Sequence, residues 1–258
     1  MYITTTGLVL RETIYKESSR ILTVLTPTEG KITVMAKGAR RRGSKIAAAT
    51  QFLAYSEMTL FSGRGGWTLT EARTLELFPG LRDDLRLLSL GAYFAQLLEV
   101  LSDADAPNPE MVSAGLNGLF ALSEDKRPEL LVKAAFELRM MCLAGFAPAL
   151  DACAVCGKEP EEPCFSLTGG AVFCRSCGRG AGELRPTPPG VLAAMRHITG
   201  ADVKRLYAFR LGDAALRQLA KLCEEYVRVQ MDRGFQTLDF YKSLRDVTAP
   251  GDSEEGKR

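Results

Sequence analysis

The sequence predicts an α+β multidomain chain: a small β-barrel at the N-terminus, then an all-α domain carrying an inserted four-cysteine element. Three observations predict it. Up to about residue 75 apolar side chains alternate with period two, and from Leu81 they recur at helical spacing. Two Cys-x-x-Cys-Gly units, with seventeen residues between Cys156 and Cys174, interrupt the helical part. With 258 residues and 46% apolar content, the chain can fill ordinary cores in one large or two to three small domains.

The barrel comes first. Gly7–Tyr15, Arg20–Thr26, Lys31–Ala36, Phe52–Phe61 and Trp67–Ala72 are rich in β-branched and aromatic residues. Turn signals separate most of them, Pro27-Thr-Glu-Gly30 and Gly63-Arg-Gly-Gly66 being the clearest. Five short strands in about 80 residues suit a partly open Greek-key barrel of the OB type, although another five-stranded barrel has the same periodicity. Its aromatics, Tyr15, Phe52, Tyr55, Phe61 and Trp67, are expected mostly in the barrel core.

The helical domain follows. Leu87, Leu90, Gly91, Phe94, Leu97, Leu98 and Leu101 form one apolar face, and Leu85, Leu88 and Ala92 part of another, so this helix is expected at the centre of the domain. Asn108-Pro109 and Pro128 open the next two helices; Gly145-Phe146 and Pro148 stop the second of them. After the cysteines, Thr187-Pro188 is expected to cap a short helix, and Asp213 to begin a longer one with Leu216, Leu219, Ala220, Cys223, Tyr226 and Val227 inward. The expected boundaries are 1–80 for the barrel, 81–150 and 184–244 for the helical domain, and 151–183 for the insertion. Residues 245–258 have almost nothing to bury and read as a disordered tail.

The insertion carries the most specific chemistry. Cys153-Ala-Val-Cys156-Gly and Cys174-Arg-Ser-Cys177-Gly each place two thiolates on a tight turn, where the following glycine is suited to a left-handed conformation. Cys164–Phe173 between them reads as strand, Gly-Gly turn, strand, which returns the second knuckle to the first. Four sulfurs close a tetrahedral zinc site and leave no position for water, so the expected Zn2+ is structural. Cys142 and Cys223 sit in apolar helical patterns and Cys164 in a strand, as packed thiols.

Charge is uneven. Residues 1–80 carry a net +5 and residues 81–258 a net −3. Lys37, Arg40, Arg41, Arg42 and Lys45 put five cations into nine residues with two glycines and nothing large to bury, an exposed loop suited to a nucleic-acid backbone. Gly38 to Lys45 imitates a phosphate-binding P-loop, but Ser44 precedes Lys45 where that motif needs Lys first. His197, the only histidine, reads as a surface or capping residue, Asp83-Asp84 as helix N-terminal charge and Glu224-Glu225 as a solvated face. These leave acid-base chemistry little to work with, and no Ser or Cys nucleophile has a recognisable base partner in sequence. The N-terminus has neither a basic region nor a long apolar one, and no apolar run reaches membrane-spanning length, so no membrane partner and a cytoplasmic protein are expected.

Several runs together resemble the bacterial recombination mediator family RecO: Ala36-Lys-Gly-Ala-Arg40, Gly63-Arg-Gly65, Phe136-Glu-Leu-Arg139, and Gly145-Phe-Ala-Pro148 leading into Cys153-Ala-Val-Cys156-Gly157. The resemblance extends to about Leu244. It implies an OB domain, a helical domain and an embedded zinc element. It also implies a non-enzymatic, nucleoid-associated role: binding of single- and double-stranded DNA, annealing of complementary strands and, with RecR, help for RecA in displacing single-strand-binding protein (SSB) during gap repair. Phosphate contact then falls to Lys37, Arg40, Arg41, Arg42 and Lys45, with Arg64 on the neighbouring turn. The family's recognition of the acidic, Phe-ended SSB C-terminal tail is assigned to Lys133 and Arg139. An RNA-binding or transcription-associated OB/zinc-ribbon protein remains the alternative.

Overall fold

The structure, a computed structural model, describes residues 1–63, 65–124 and 127–248, with side chains to 245. Five strands, β1 (Tyr2–Tyr15), β2 (Ser19–Thr26), β3 (Gly30–Ala36), β4 (Tyr55–Gly63) and β5 (Gly66–Glu76), close a barrel in the order β1-β2-β3-β5-β4. Only β3 and β5 run parallel. A register shift between Val9 and Arg11 divides β1, whose first half pairs with β4 and whose second half pairs with β2. Such a bulge bends a long strand and lets it belong to two sides of a small barrel.

The barrel core is aliphatic: Val9, Leu22, Val24, Ile32, Val34, Met58, Leu60 and Leu69. The aromatics lie elsewhere, contrary to the sequence expectation. Phe52 and Tyr55 pack partly buried against the helical core, Trp67 packs at the edge of the barrel core, and Tyr15 and Phe61 are exposed. A five-stranded barrel is too narrow inside for several large rings, so branched side chains fill it. Leu8 and Leu10, on the other face of β1 from Val9, join the helical core instead. The two domains therefore share apolar packing. Polar contacts add to it, with Arg11 to Glu99 at 2.9 Å and Lys31 Nζ donating to Glu99 O at 2.5 Å.

The helical domain contains α1 (Pro79–Arg82), α2 (Leu85–Leu101), α3 (Pro109–Ser123), α4 (Glu129–Leu143), α5 (Pro189–Gly200), α6 (Asp213–Met231) and α7 (Gln236–Thr248). Asp84 caps α2 by accepting from Arg86 N at 2.7 Å, and Asn108 caps α3 by accepting from Met111 N at 2.9 Å. Phe94 of α2 stacks on Phe136 of α4 with centroids 3.7 Å apart, and Gly118 of α3 leaves room for that ring. The inserted element is a three-stranded sheet, β6 (Cys164–Ser166), β7 (Ala171–Phe173) and β8 (Leu184–Pro186), in the order β7-β6-β8. It is anchored on α6: Phe165 meets Tyr226 edge-on at 5.3 Å, and Gln230 Nε2 donates to Leu167 O at 2.6 Å.

Three local features differ from the sequence reading. Thr187 does not cap α5; its backbone N–H donates to Pro163 O and its hydroxyl to Arg185 O, so it fastens the insertion, while Pro188 precedes the helix. A third strand, β8, joins the expected hairpin. The last helix runs to Thr248, past Leu244, and residues 249–258 of the expected tail lie outside the described residues.

Candidate metal centre and nucleic-acid interface

Two knuckle turns meet at the candidate metal centre. Gly157 N donates to Cys153 O and Gly178 N to Cys174 O, both at 2.9 Å, giving the two pairs matching turns. The glycines differ in purpose. Gly157 takes the left-handed conformation at φ 70°, whereas Gly178 does not, and is small because a Cβ there would lie 2.3 Å from Leu184 of β8. The sulfurs of Cys153, Cys156, Cys174 and Cys177 all lie within 4.8 Å of one another, with Cys156 and Cys174 3.8 Å apart. Four thiolates about 2.3 Å from one tetrahedral ion stand about 3.8 Å apart, so the donor set fits a closed metal site. All seven cysteines are free thiols. Backbone N–H groups of Cys156 and Cys174 hold the Cys153 thiol down at about 6, while, against the lowering backbone N–H of Glu161, burial and the neighbouring Cys153 and Cys156 sulfurs push Cys174 up to about 11. Cys164, its Sγ 3.6 Å from Glu162 O, stands outside the four.

The cationic loop lies between β3 and the 3₁₀ turn Ala48–Thr50. Lys37, Arg40, Arg41, Arg42 and Lys45 are all exposed, and no carboxylate among the described residues pairs with them. Gly38 and Gly43 are left-handed at φ 71° and 76°, and Arg41 N to Gly38 O and Ser44 N to Arg41 O fold the loop into successive turns. Its base is fixed to the β1–β2 hairpin: Arg40 N donates to Ser18 O at 2.9 Å, Arg40 Nη1 to Glu17 O at 3.2 Å, and Gly38 N to Ser19 Oγ at 3.3 Å. Arg40 is bound through carbonyls only, so its charge remains available. Arg64 lies outside the described residues.

Family models for the Recombination protein O N terminal and C terminal regions match residues 1–78 and 82–239. The chain belongs to the RecO family. It is 30% identical over 247 residues to a DNA repair protein RecO of Acetivibrio thermocellus, covering 94% of this chain and 97% of that one. Proteins of the same name from Symbiobacterium thermophilum and Heliobacterium modesticaldum are 31% and 32% identical, covering 93% and 92% of this chain and 97% and 88% of theirs. The OB-type barrel, the helical domain and the four-cysteine cluster are thus the architecture of a RecO-family DNA repair protein. No helix among the described residues is long and apolar enough to cross a membrane.

The helical-domain candidates are placed differently from the RecO-based expectation. Lys133 is 2% exposed, with its Nζ 2.8 Å from Glu137 and 2.9 Å from Glu224. Its charge is already neutralised inside the protein, so it offers none to an approaching peptide. Arg139 is half-buried and donates to Thr199 O at 3.0 Å. Glu224 and Glu225 are not a solvated face either; they pair with Lys133 and Lys242, and with Arg185. His197 Nε2 lies 3.0 Å from Arg205 O and its ring against Phe209, tying α5 to the segment after it. That segment closes a cavity of about 640 Å³ against α3 and α4, lined by Phe120, Leu131, Phe209 and Leu211 and rimmed by exposed Lys204 and Arg210. Sequence reasoning missed it because Phe120 and Leu131 lie far along the chain from Lys204, Phe209 and Arg210.

Proposed function

We propose that this RecO-family protein binds DNA without reading its sequence and brings complementary single strands together without hydrolysing a nucleotide. The observation that carries the proposal is the exposed, unpaired cluster of five cations on a loop whose base is fixed to the barrel. Two polyanionic strands repel each other; Lys and Arg side chains on their phosphates remove that repulsion and release counterions. Such contacts position a strand and carry no base information. Zinc at Cys153, Cys156, Cys174 and Cys177 is structural in this reading, since a closed thiolate set offers no site for substrate. Membership of the RecO family supports the further reading that it works with RecR and RecA in gap repair on SSB-coated DNA.

The SSB tail calls for a cation beside an apolar pocket, because it pairs carboxylates with a terminal Phe ring. The cavity rimmed by Lys204 and Arg210 meets that need better than Lys133, which is paired inside. Replacing Lys204 and Arg210 by Glu is expected to abolish tail-peptide binding and leave binding to bare DNA intact; loss of both, or of neither, refutes the assignment. For the DNA loop, the variant R40A/R41A/R42A is expected to bind all sequences more weakly. Its slope of log K against log salt should be smaller by about 2 to 2.7, at 0.7 to 0.9 per lost phosphate contact. A slope unchanged from the native protein would place the DNA elsewhere.

A further inference from the structure

Among the described barrel residues three aromatics are exposed: Tyr2 at 66%, Tyr15 at 39% and Phe61 at 38%. Tyr2 and Phe61 cover one another, their centroids 5.0 Å apart. Tyr15 is different. It ends β1 at the hairpin tip, next to Ile14, itself 66% exposed; among the described residues no other aromatic ring pairs with it, and the Lys16 ammonium lies 5.5 Å from its centroid. Lys16 turns the chain in the left-handed region at φ 53°, and the carbonyls of Glu17 and Ser18 beyond it hold Arg40. The tip and the cationic loop are therefore joined as one unit, which carries both an exposed ring and a set of unpaired cations.

From this we infer that Tyr15 is a base-stacking residue, and that the β1–β2 tip with the 37–45 loop forms a site for an unpaired nucleotide segment, its phosphates on the loop and one base on the Tyr15 ring. The inference rests on the phosphate-binding role of the loop and adds discrimination to it. Phosphates are common to single strands and duplexes, whereas a ring face is open only in a single strand, because duplex bases are already stacked on each other. The Lys16 ammonium beside the ring suits a phosphate flanking the stacked base. When two strands pair, the base returns to the duplex stack and this contact is lost. The site holds reactant more tightly than product, which lets the annealed duplex leave.

Equilibrium binding to oligo-dT and to a duplex of equal length, over a range of salt, tests this with Y15A, Y15W and Y2A. Stacking contributes roughly 1–3 kcal/mol per base, so Y15A is expected to weaken single-strand binding about 5- to 150-fold, with duplex affinity and salt slope unchanged. Y15W is expected to restore single-strand binding, with tryptophan emission quenched by oligo-dT beyond the quenching seen in the native protein, which has Trp67 alone. Y2A is expected to bind as the native protein does. Equal losses on single strand and duplex, a flattened salt slope in Y15A, or no added quenching in Y15W would each overturn the inference. Failure of the loop reading appears separately, as an unchanged salt slope in R40A/R41A/R42A.

Discussion

Replacing Lys133 by Met tests the internal role the structure gives it. Lys133 sits on α4, with Glu137 one turn further on and Glu224 arriving from α6; Lys242 of α7 reaches the other oxygen of Glu224 at 2.6 Å, and Tyr93 of α2 donates to Glu137 at 2.8 Å. Four helices meet in this network. Glu137 is fully buried, its second oxygen has no hydrogen-bond partner among the described residues, and burial already pushes its carboxyl up. Met keeps much of the Lys volume but removes the charge, leaving a buried carboxylate with one tyrosine donor. Breaking a buried ion pair from one side costs about 3–5 kcal/mol, a large share of a typical total of about 5–15 kcal/mol. For a chain of this size that lowers the melting temperature by about 6–20 °C. The loss is expected to shrink as pH falls, since a protonated Glu137 needs no counter-charge. K133M/E137M, which removes both charges, is expected to recover most of the stability. Urea unfolding followed by circular dichroism measures all three. A K133M cost below about 1 kcal/mol, or a double variant no better than the single, would refute the buried-network account.

Three further outcomes are expected. Freshly reduced protein is expected to hold one zinc per chain and C156S none. Because Phe165 and Val172 of the insertion belong to the helical core, C156S is expected to destabilise α6 while the barrel keeps its DNA salt slope; zinc-free native protein would contradict this. Burial raises Tyr93, Tyr207, Tyr241 and Tyr226, the last to about 12. A raised folded value means that stability from these groups is complete below their unfolded value of about 10 and is lost as pH climbs through the folded values. Ellipticity is thus expected to fall between about pH 10 and 12, and a flat profile would contradict it. At Gly30, with φ 67°, a Cβ would lie 2.4 Å from Ala106 O, so G30A is expected to cost about 1–3 kcal/mol by lifting the barrel off the helices, read as a lower urea midpoint.

Much of this was legible in the residues, for identifiable reasons. Period-two alternation marked the five strands because each keeps one face in the barrel core, and Asp84 and Asn108 marked helix starts because their side chains satisfy free backbone N–H groups. The four cysteines announced a cluster able to hold a metal through spacing alone. Lys133 was misplaced because helical periodicity assumes one solvent face, whereas α4 is surrounded by neighbours, with every residue from Leu131 to Leu138 buried. The Lys133–Glu137 spacing, one helical turn inside an apolar helix, was the available signal of an internal pair. β8 escaped notice because Leu184-Arg-Pro186 is too short to show a period. The link from Arg40 to the carbonyls of Glu17 and Ser18 leaves no trace in sequence, since any residue supplies a carbonyl.

Loop cations 37–45 that bring complementary strands together should raise the annealing rate of two complementary oligonucleotides without ATP, which can be measured directly. The native protein is expected to accelerate annealing, and R40A/R41A/R42A, folded and zinc-loaded, to lose most of that acceleration while adding salt slows the native protein toward the variant. Native protein that leaves the rate unchanged, or a triple variant that anneals as fast as native protein, would contradict the account.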